Sequence, residues 1–267
     1  MILSANSFLT KNFLRFCRNR NLRFNIYIFT TDNSIVNPDK RIYDYGRIKE
    51  LAGSIEGGVV INFAGANIFR TLFSFRSMKK KNFLIWSSRI DFMRRVMEQF
   101  GDRASNFVFV LPSAVWVYSN FMRDYFLSWE DTVKNARHLI FRLGIVLSSD
   151  CQWVSLIRKF LDFRVELMFP NSFLFPFICI DDFLELLVSN IVNFNESRVI
   201  DCFKITTFNH FNSFIKNFYG YGGFFFRVNP FFTGLIVKNL LGDYGKVFDS
   251  LDVENGVVGE VEKCFTL

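Results

Sequence analysis

The chain has 267 residues, half of them hydrophobic, which suits one large domain or one domain with a small appendage and excludes wholesale disorder. The net charge of +7 is scattered; its densest runs, RFCRNRNLR (15–23) and MKKK (78–81), fit the polar faces or ends of helices, so no nucleic-acid partner is expected. Two histidines, His138 and His210, argue against a His-based metal site or triad, no pair of the five cysteines has metal-ligand spacing, and no apolar run is long enough for a membrane span.

The odd number of cysteines (Cys17, Cys151, Cys179, Cys202, Cys264) suggests free thiols in a reducing compartment, hence a cytoplasmic protein. Residues 1 to 31 carry five basic residues and no acid, a composition that also suits a presequence for the mitochondrial matrix. Phenylalanine, 37 residues against five prolines, stands where Leu, Ile or Tyr would serve as core filler.

Along the chain, strand signals alternate with helix signals. MIL opens a strand, and SANSFLTKNFLRF (4–16) reads as a turn entering a helix. NIYIFTT (25–31) reads as a second strand, and GVVINFAGA (58–66) as an apolar strand entering a Gly-containing turn. SSRIDFMRRVMEQF (87–100) is amphipathic, with Phe92, Met93, Val96, Met97 and Phe100 at helical spacing. NFVFVLPSAVWVY (106–118) and HLIFRLGIVLS (138–148) read as strands, QWVSLIRKFLDF (152–163) as a helix and FPFICI (175–180) as a short buried strand. The next helix starts on an Asp N-cap in DDFLELLVSNIVNF; SRVIDCF (197–203) reads as a strand, and Thr206 or Thr207 caps a helix around 209–218. Continuous apolar strands separated by helices mean a parallel sheet covered on both faces, with ligands at the carboxyl ends of its strands.

Five blocks in order, VVINFAGANI (59–68), SSRI (87–90), SAVWVY (113–118), FRLGIVLS (141–148) and FPFICIDD (175–182), resemble the epimerase-like branch of the short-chain dehydrogenase/reductase superfamily, often labelled nucleoside-diphosphate-sugar epimerases. VNPFFTGLIVKNLLGDYGK (228–246) resembles the start of that branch's C-terminal extension. The resemblance implies a Rossmann-type, doubly wound parallel sheet over residues 1–218, with substrate-pocket segments after about 150, and a short, mainly helical C-terminal appendage at 219–267. It implies NAD or NADP as cofactor and a small-molecule, nucleotide-sugar substrate.

The family's first turn reads Gly-Gly-x-Gly-Phe-Ile-Gly. Anchoring it on Phe8-Leu9 puts Ser4, Ala5, Ser7 and Thr10 at the four glycine positions, so the turn reads as a degraded phosphate loop with weakened binding. The cofactor-binding candidates are Ser7, Phe8 and Leu9 in that turn, Asp32 at the end of the second strand, and Ala64, Gly65 and Ala66 in the third-strand turn. Asp32 suits the ribose hydroxyls of NAD, and Thr30 and Thr31 stand where an Arg would favour NADP.

Ser113 matches the family's catalytic Ser. The Tyr and following Lys of the usual short-chain dehydrogenase site are missing from 119 to 136; Tyr45–Lys49 has the spacing but precedes the third strand. SWEDTVKNA (128–136) resembles the branch's own Trp-Glu helix, and Tyr118 is the candidate substitute acid. Arg142 is placed to line the pocket or form an internal pair, Asp181 and Asp182 to cap a helix, and Cys179 stands where the family often has His. The chain thus reads as an NAD(P)-dependent epimerase or oxidoreductase with a weakened cofactor site, or as a pseudoenzyme that keeps the fold as a binding module.

Overall fold

The computed structural model describes residues 1–37, 41–65, 78–119, 122–169, 173–230, 257–258 and 264–265. The chain divides into two compact units. The first comprises residues 1–113, 125–141 and 184–200; the second comprises 114–124, 142–183 and 201–267.

The first unit is built on a seven-stranded sheet. Its strands are β1 (Ile2–Leu3), β2 (Ile28–Thr30), β3 (Ile42–Asp44), β4 (Gly58–Asn62), β5 (Phe107–Ala114), β6 (Arg137–Leu143) and β10 (Arg198–Cys202), in the order β10-β6-β5-β4-β1-β2-β3. Every pairing in it with a described register is parallel. The chain winds outwards from β1 through β2 to β3, then returns to β4 on β1's other side, so the order reverses between β1 and β4. This is the doubly wound Rossmann-type arrangement expected from the apolar runs, and such a reversal opens a crevice at the carboxyl ends of the strands.

The helices follow from local chemistry. Helix α1 (Phe8–Asn19) starts on Ser7, whose side-chain oxygen accepts from the Thr10 amide, and buries Thr10, Phe13 and Cys17 along one face. After α2 (Ile48–Ser54) come α3 (Met78–Trp86), a π-helical stretch at Ser87–Asp91 and α4 (Phe92–Phe100). The helix expected over 87–100 is therefore the second half of a longer helical run. Helix α4 buries Met93, Val96 and Phe100, and the Phe100 ring meets Phe107 and Phe109 edge-to-face at 4.9 and 5.2 Å. Phe29, Phe107, Phe109, Phe126 and Phe141 are fully buried, the filler role expected of the phenylalanine excess.

The second unit contains a four-stranded mixed sheet, β13-β11-β9-β7, of β7 (Ile145–Leu147), β9 (Leu174–Cys179), β11 (Lys204–Thr207) and β13 (Val257–Val258). A two-stranded parallel pair joins β8 (Val165–Leu167) to β12 (Phe226–Val228). Helix α5 (Arg123–Glu130) precedes β6, α6 (Gln152–Asp162) follows β7, α7 (Ile180–Val192) follows β9, and α8 (Phe208–Phe218) follows β11. Thr207 caps α8 by accepting from the His210 amide. Phe175 stacks on Phe211 at 4.3 Å in this unit's core. Glu166, buried on β8, is held by Lys216 and Arg227, each at 3.2 Å.

Three sequence expectations are corrected. The strand expected at 138–148 is two, β6 and β7, which pair in different sheets and divide at Gly144. A methyl group at Gly144 would lie 2.6 Å from the Phe177 amide nitrogen and 2.7 Å from the Pro176 carbonyl carbon, so only glycine admits β9 this closely. Asp181 and Asp182 do not cap α7 from outside; they lie within its first turn, where their charge suits the positive helix end. The thiols are not all free. Cys179 and Cys264 form a disulfide across 85 residues of sequence, while Cys17, Cys151 and Cys202 are buried free thiols. The fold makes that pairing by bringing together positions whose linear spacing carries no signal. Most of the expected helical appendage, residues 231–256, lies outside the described residues.

Substituting Gly144→Ala is expected to destabilise the protein by about 1–3 kcal/mol through overpacking against the β9 backbone. Gly222→Ala, where an added methyl meets nothing within 4 Å, is the matched control and stays near wild type. Denaturant unfolding of both variants checks this.

Candidate functional site

In the parallel sheet of the first unit, the carboxyl ends of β1, β2, β4 and β5 share one edge, and most sequence candidates lie there. Ser4 leaves β1 with φ +95°, in the region that favours glycine. Of the four residues at the family's glycine positions, it alone has positive φ. The amides of Ser4 and Ala5 both donate to the Phe29 carbonyl, at 3.0 and 3.1 Å, which fixes the turn against β2. Thr10, fully buried, donates its hydroxyl to the Ser4 carbonyl at 2.5 Å, and Ser7 Oγ lies 2.8 Å from the same hydroxyl. The turn keeps a glycine conformation without glycine, and its interior is tied by its own hydroxyls. Phe8 and Leu9, half-buried, begin α1 just beyond.

Tyr45 closes the turn from another side. Its ring stacks on Phe29 and meets Phe92 edge-on. Burial pushes its phenol well above the ordinary value, and a backbone hydrogen bond with Ser4 offsets this only in part. A Tyr working with a Lys needs the opposite shift, so the Tyr45–Lys49 spacing is packing, not chemistry.

Asp32, exposed, accepts from the Ser34 amide at 3.0 Å and the Ser34 hydroxyl at 2.5 Å, and its own amide donates to Thr30 Oγ1. At the end of β4, Asn62 is buried and its side-chain oxygen accepts from the Ala64 amide at 2.9 Å. Gly65 follows at φ +153°, with the Arg89 guanidinium packed against it; an added methyl would lie 2.8 Å from its central carbon. Arg89 also lies over the Trp129 ring, 5.4 Å from its centroid. Ala66 lies outside the described residues.

Ser113, only 3% exposed near the end of β5, donates its hydroxyl to Glu130 Oε1 at 2.8 Å. Glu130 is 1% exposed and ends α5. The SWE block held the signal for this contact, but only the fold shows the two side chains meeting.

The second unit holds a different cluster. Tyr118 donates its phenol to Asp201, lying 2.8 and 2.7 Å from the two carboxylate oxygens, and accepts from Arg142 Nη1 at 3.1 Å. The Arg142 guanidinium also lies 5.5 Å from the Tyr118 ring centroid. Burial, then the hydrogen bond to Asp201, raises the phenol above its ordinary value, while Arg142 opposes the rise. Arg142 belongs to an internal network, one of its two expected roles. Asp201 lies on β10, and no spacing in SRVIDCF marks it. Nearby in chain order, Asp182 pairs with Lys204 at 3.0 Å. Among the described residues no group of His, Cys, Asp or Glu could hold a metal ion, and no helix is long and apolar enough to cross a membrane.

No family model matches the chain, and no curated protein matches it. Solved structures do share its fold. Human epimerase family protein SDR39U1 (isoform 2), crystallised with NADPH, superposes with a TM-score of 0.69 at 13% identity, covering 93% of this chain and 88% of its own. The dTDP-4-dehydrorhamnose reductase of Bacillus anthracis, in complex with NADP, gives 0.65 at 13% identity, covering 85% and 83%. MoeE5, in complex with UDP-glucuronic acid and NAD, gives 0.63 at 15% identity, covering 82% and 81%.

Against such a cofactor the residues fit unevenly. Asp32 is exposed where ribose hydroxyls would be bound, while the Arg89 side chain already lies against Gly65 in the β4 turn. The β1 turn carries side chains on all four positions where the family has none, which narrows the approach of a pyrophosphate.

Two outcomes are expected. Ser4→Gly relieves the positive φ and stabilises the fold by about 1 kcal/mol, measured by denaturant unfolding. Asp201→Asn removes the charge that raises the Tyr118 phenol and weakens the hydrogen bond that holds its proton, so its ionisation moves to lower pH. Spectrophotometric tyrosine titration, corrected with Tyr118→Phe, reads the shift, and an unchanged titration refutes the assignment.

Proposed function

We propose that this chain is an NAD(P)-dependent epimerase or oxidoreductase of the epimerase-like short-chain dehydrogenase type, with a weakened cofactor site and a nucleotide-sugar substrate. The observation that carries the reading is Ser4 at φ +95°. The exit from β1 into α1 is built on a conformation that L-residues resist and glycine accepts, as a turn inherited from a glycine loop would be.

In this reading the amides of Phe8 and Leu9, at the positive end of α1, face the pyrophosphate together with Ser7, and Asp32 takes the ribose hydroxyls. Ala64, Gly65 and Ala66 lie against the adenine side. Bound cofactor supplies hydride transfer. Ser113 orients the substrate oxygen, and Glu130 fixes the rotamer of Ser113 as its hydrogen-bond acceptor. Tyr118 serves as the acid, its proton held by Asp201 until a better acceptor arrives. The protein works in the cytoplasm, with the mitochondrial matrix as the second choice.

A pseudoenzyme is the second reading. What favours it is that the hydroxyls of Ser113 and Tyr118 are both committed to carboxylates of the same chain, at 2.8 Å or less. A catalytic hydroxyl held this way must give up a charge-assisted hydrogen bond before it can serve a substrate.

Calorimetric titration of the purified chain with NAD, NADH, NADP and NADPH tests the choice. Weak saturable binding of one of them is expected. Restoring glycine at Ser4, Ala5, Ser7 and Thr10 together is expected to tighten it at least tenfold. Absence of binding in both the folded wild type and the glycine variant would sink the enzyme reading and leave the binding module.

A further inference from the structure

We propose that the Cys179–Cys264 bond is a thiol-operated clasp that holds the segment carrying Val257–Val258 and Cys264–Phe265 against the second unit, and that a dithiol reductant releases it. Among the described residues the segment is attached to the rest of the unit at three points. Val257 and Val258 form β13, a two-residue strand pairing in parallel with Lys204 and Ile205 of β11. Phe265 is buried against Phe214 and Phe218 of α8, with ring centroids at 5.1 and 5.2 Å. Cys264 is bonded to Cys179, the buried last residue of β9.

The first two attachments are small. A two-residue ladder and one aromatic contact do not offset the entropy of ordering a long segment. The covalent bond joins positions 85 residues apart, and the advantage of such a closure grows with loop length. Docking therefore depends on the bond.

Nothing inside the chain is suited to open it. Cys17, Cys151 and Cys202 are buried, and burial pushes their thiols up, to about 11 for Cys17 and about 12 for Cys202. Thiol exchange needs a thiolate, so the free cysteines do not reshuffle the bond at neutral pH. An external dithiol attacks one sulfur, forms a mixed disulfide with it and frees the other as a thiol. Its second thiol then closes onto the first. Two electrons and two protons pass to Cys179 and Cys264, and the reductant leaves as a disulfide.

Release uncovers Phe214 and Phe218, frees the β11 edge, and leaves a thiol beside the acidic first turn of α7. It also reaches the Asp182–Lys204 pair, because Lys204 is the residue in register with Val257. In a compartment that keeps thiols reduced, such a bond forms only transiently, as a sensor. The inference does not depend on cofactor binding.

Alkylation of the unfolded, non-reduced chain followed by intact mass gives the first readout. Three modified cysteines are expected, and five after dithiothreitol. Hydrogen exchange of the native chain gives the second. Protection at Val257 and Val258 is expected to fall at least tenfold on reduction, and Cys264→Ser is expected to show the same loss without reductant, while Cys17→Ser is not. Five modified cysteines without reductant, or exchange at 257–258 unaffected by dithiothreitol and by Cys264→Ser, would overturn the proposal.

Discussion

The backbone of Ser4 is the point on which the first unit turns. β1 is two residues long, yet it lies between β2 and β4 and pairs with both, so the two halves of the sheet meet across it. The chain must leave so short a strand abruptly to start α1 on the face where Phe13 meets Phe63 at 6.2 Å. A positive φ at position 4 makes that exit. The Thr10 hydroxyl and the doubly accepting Phe29 carbonyl hold it there, replacing with side-chain and backbone bonds the freedom a glycine would have given.

The same economy of hydroxyls recurs in the chemistry-bearing residues. Thr10 donates to a carbonyl, Ser113 to Glu130 and Tyr118 to Asp201. For the buried Thr10 and Ser113 the bond satisfies a polar group that burial would otherwise penalise. Each bond also sets a threshold that an incoming ligand must exceed.

The parts of this picture differ in how plainly the sequence carries them. Apolar runs such as GVVIN and FVFVL announced strands of a covered parallel sheet, because continuous burial leaves no room for alternation. The strain at Ser4 was foreseeable from its place in a glycine pattern. Glu130 lay in a recognisable block, but its contact with Ser113 required the return of β5 and α5 to one place. Asp201 gave no signal, since it is an exposed acid on a strand and only the fold brings the Tyr118 phenol to it. The break at Gly144 was hidden for a similar reason: hydropathy runs through it unbroken, and only the close backbone of β9 demands a bare Cα there. The disulfide is a contact of the folded chain alone.

The chain passes from one unit to the other after Ser113, Asp124, Phe141, Phe183 and Ile200, so neither unit is a continuous stretch. During synthesis the first unit remains incomplete until residues 184–200 have emerged, by which time much of the second already exists. The rings of Phe107, Phe109 and Phe141, buried in the finished protein, therefore precede residues 184–200, the last part of their unit to be made. That order of completion follows from the winding of the chain, whatever the finished protein binds.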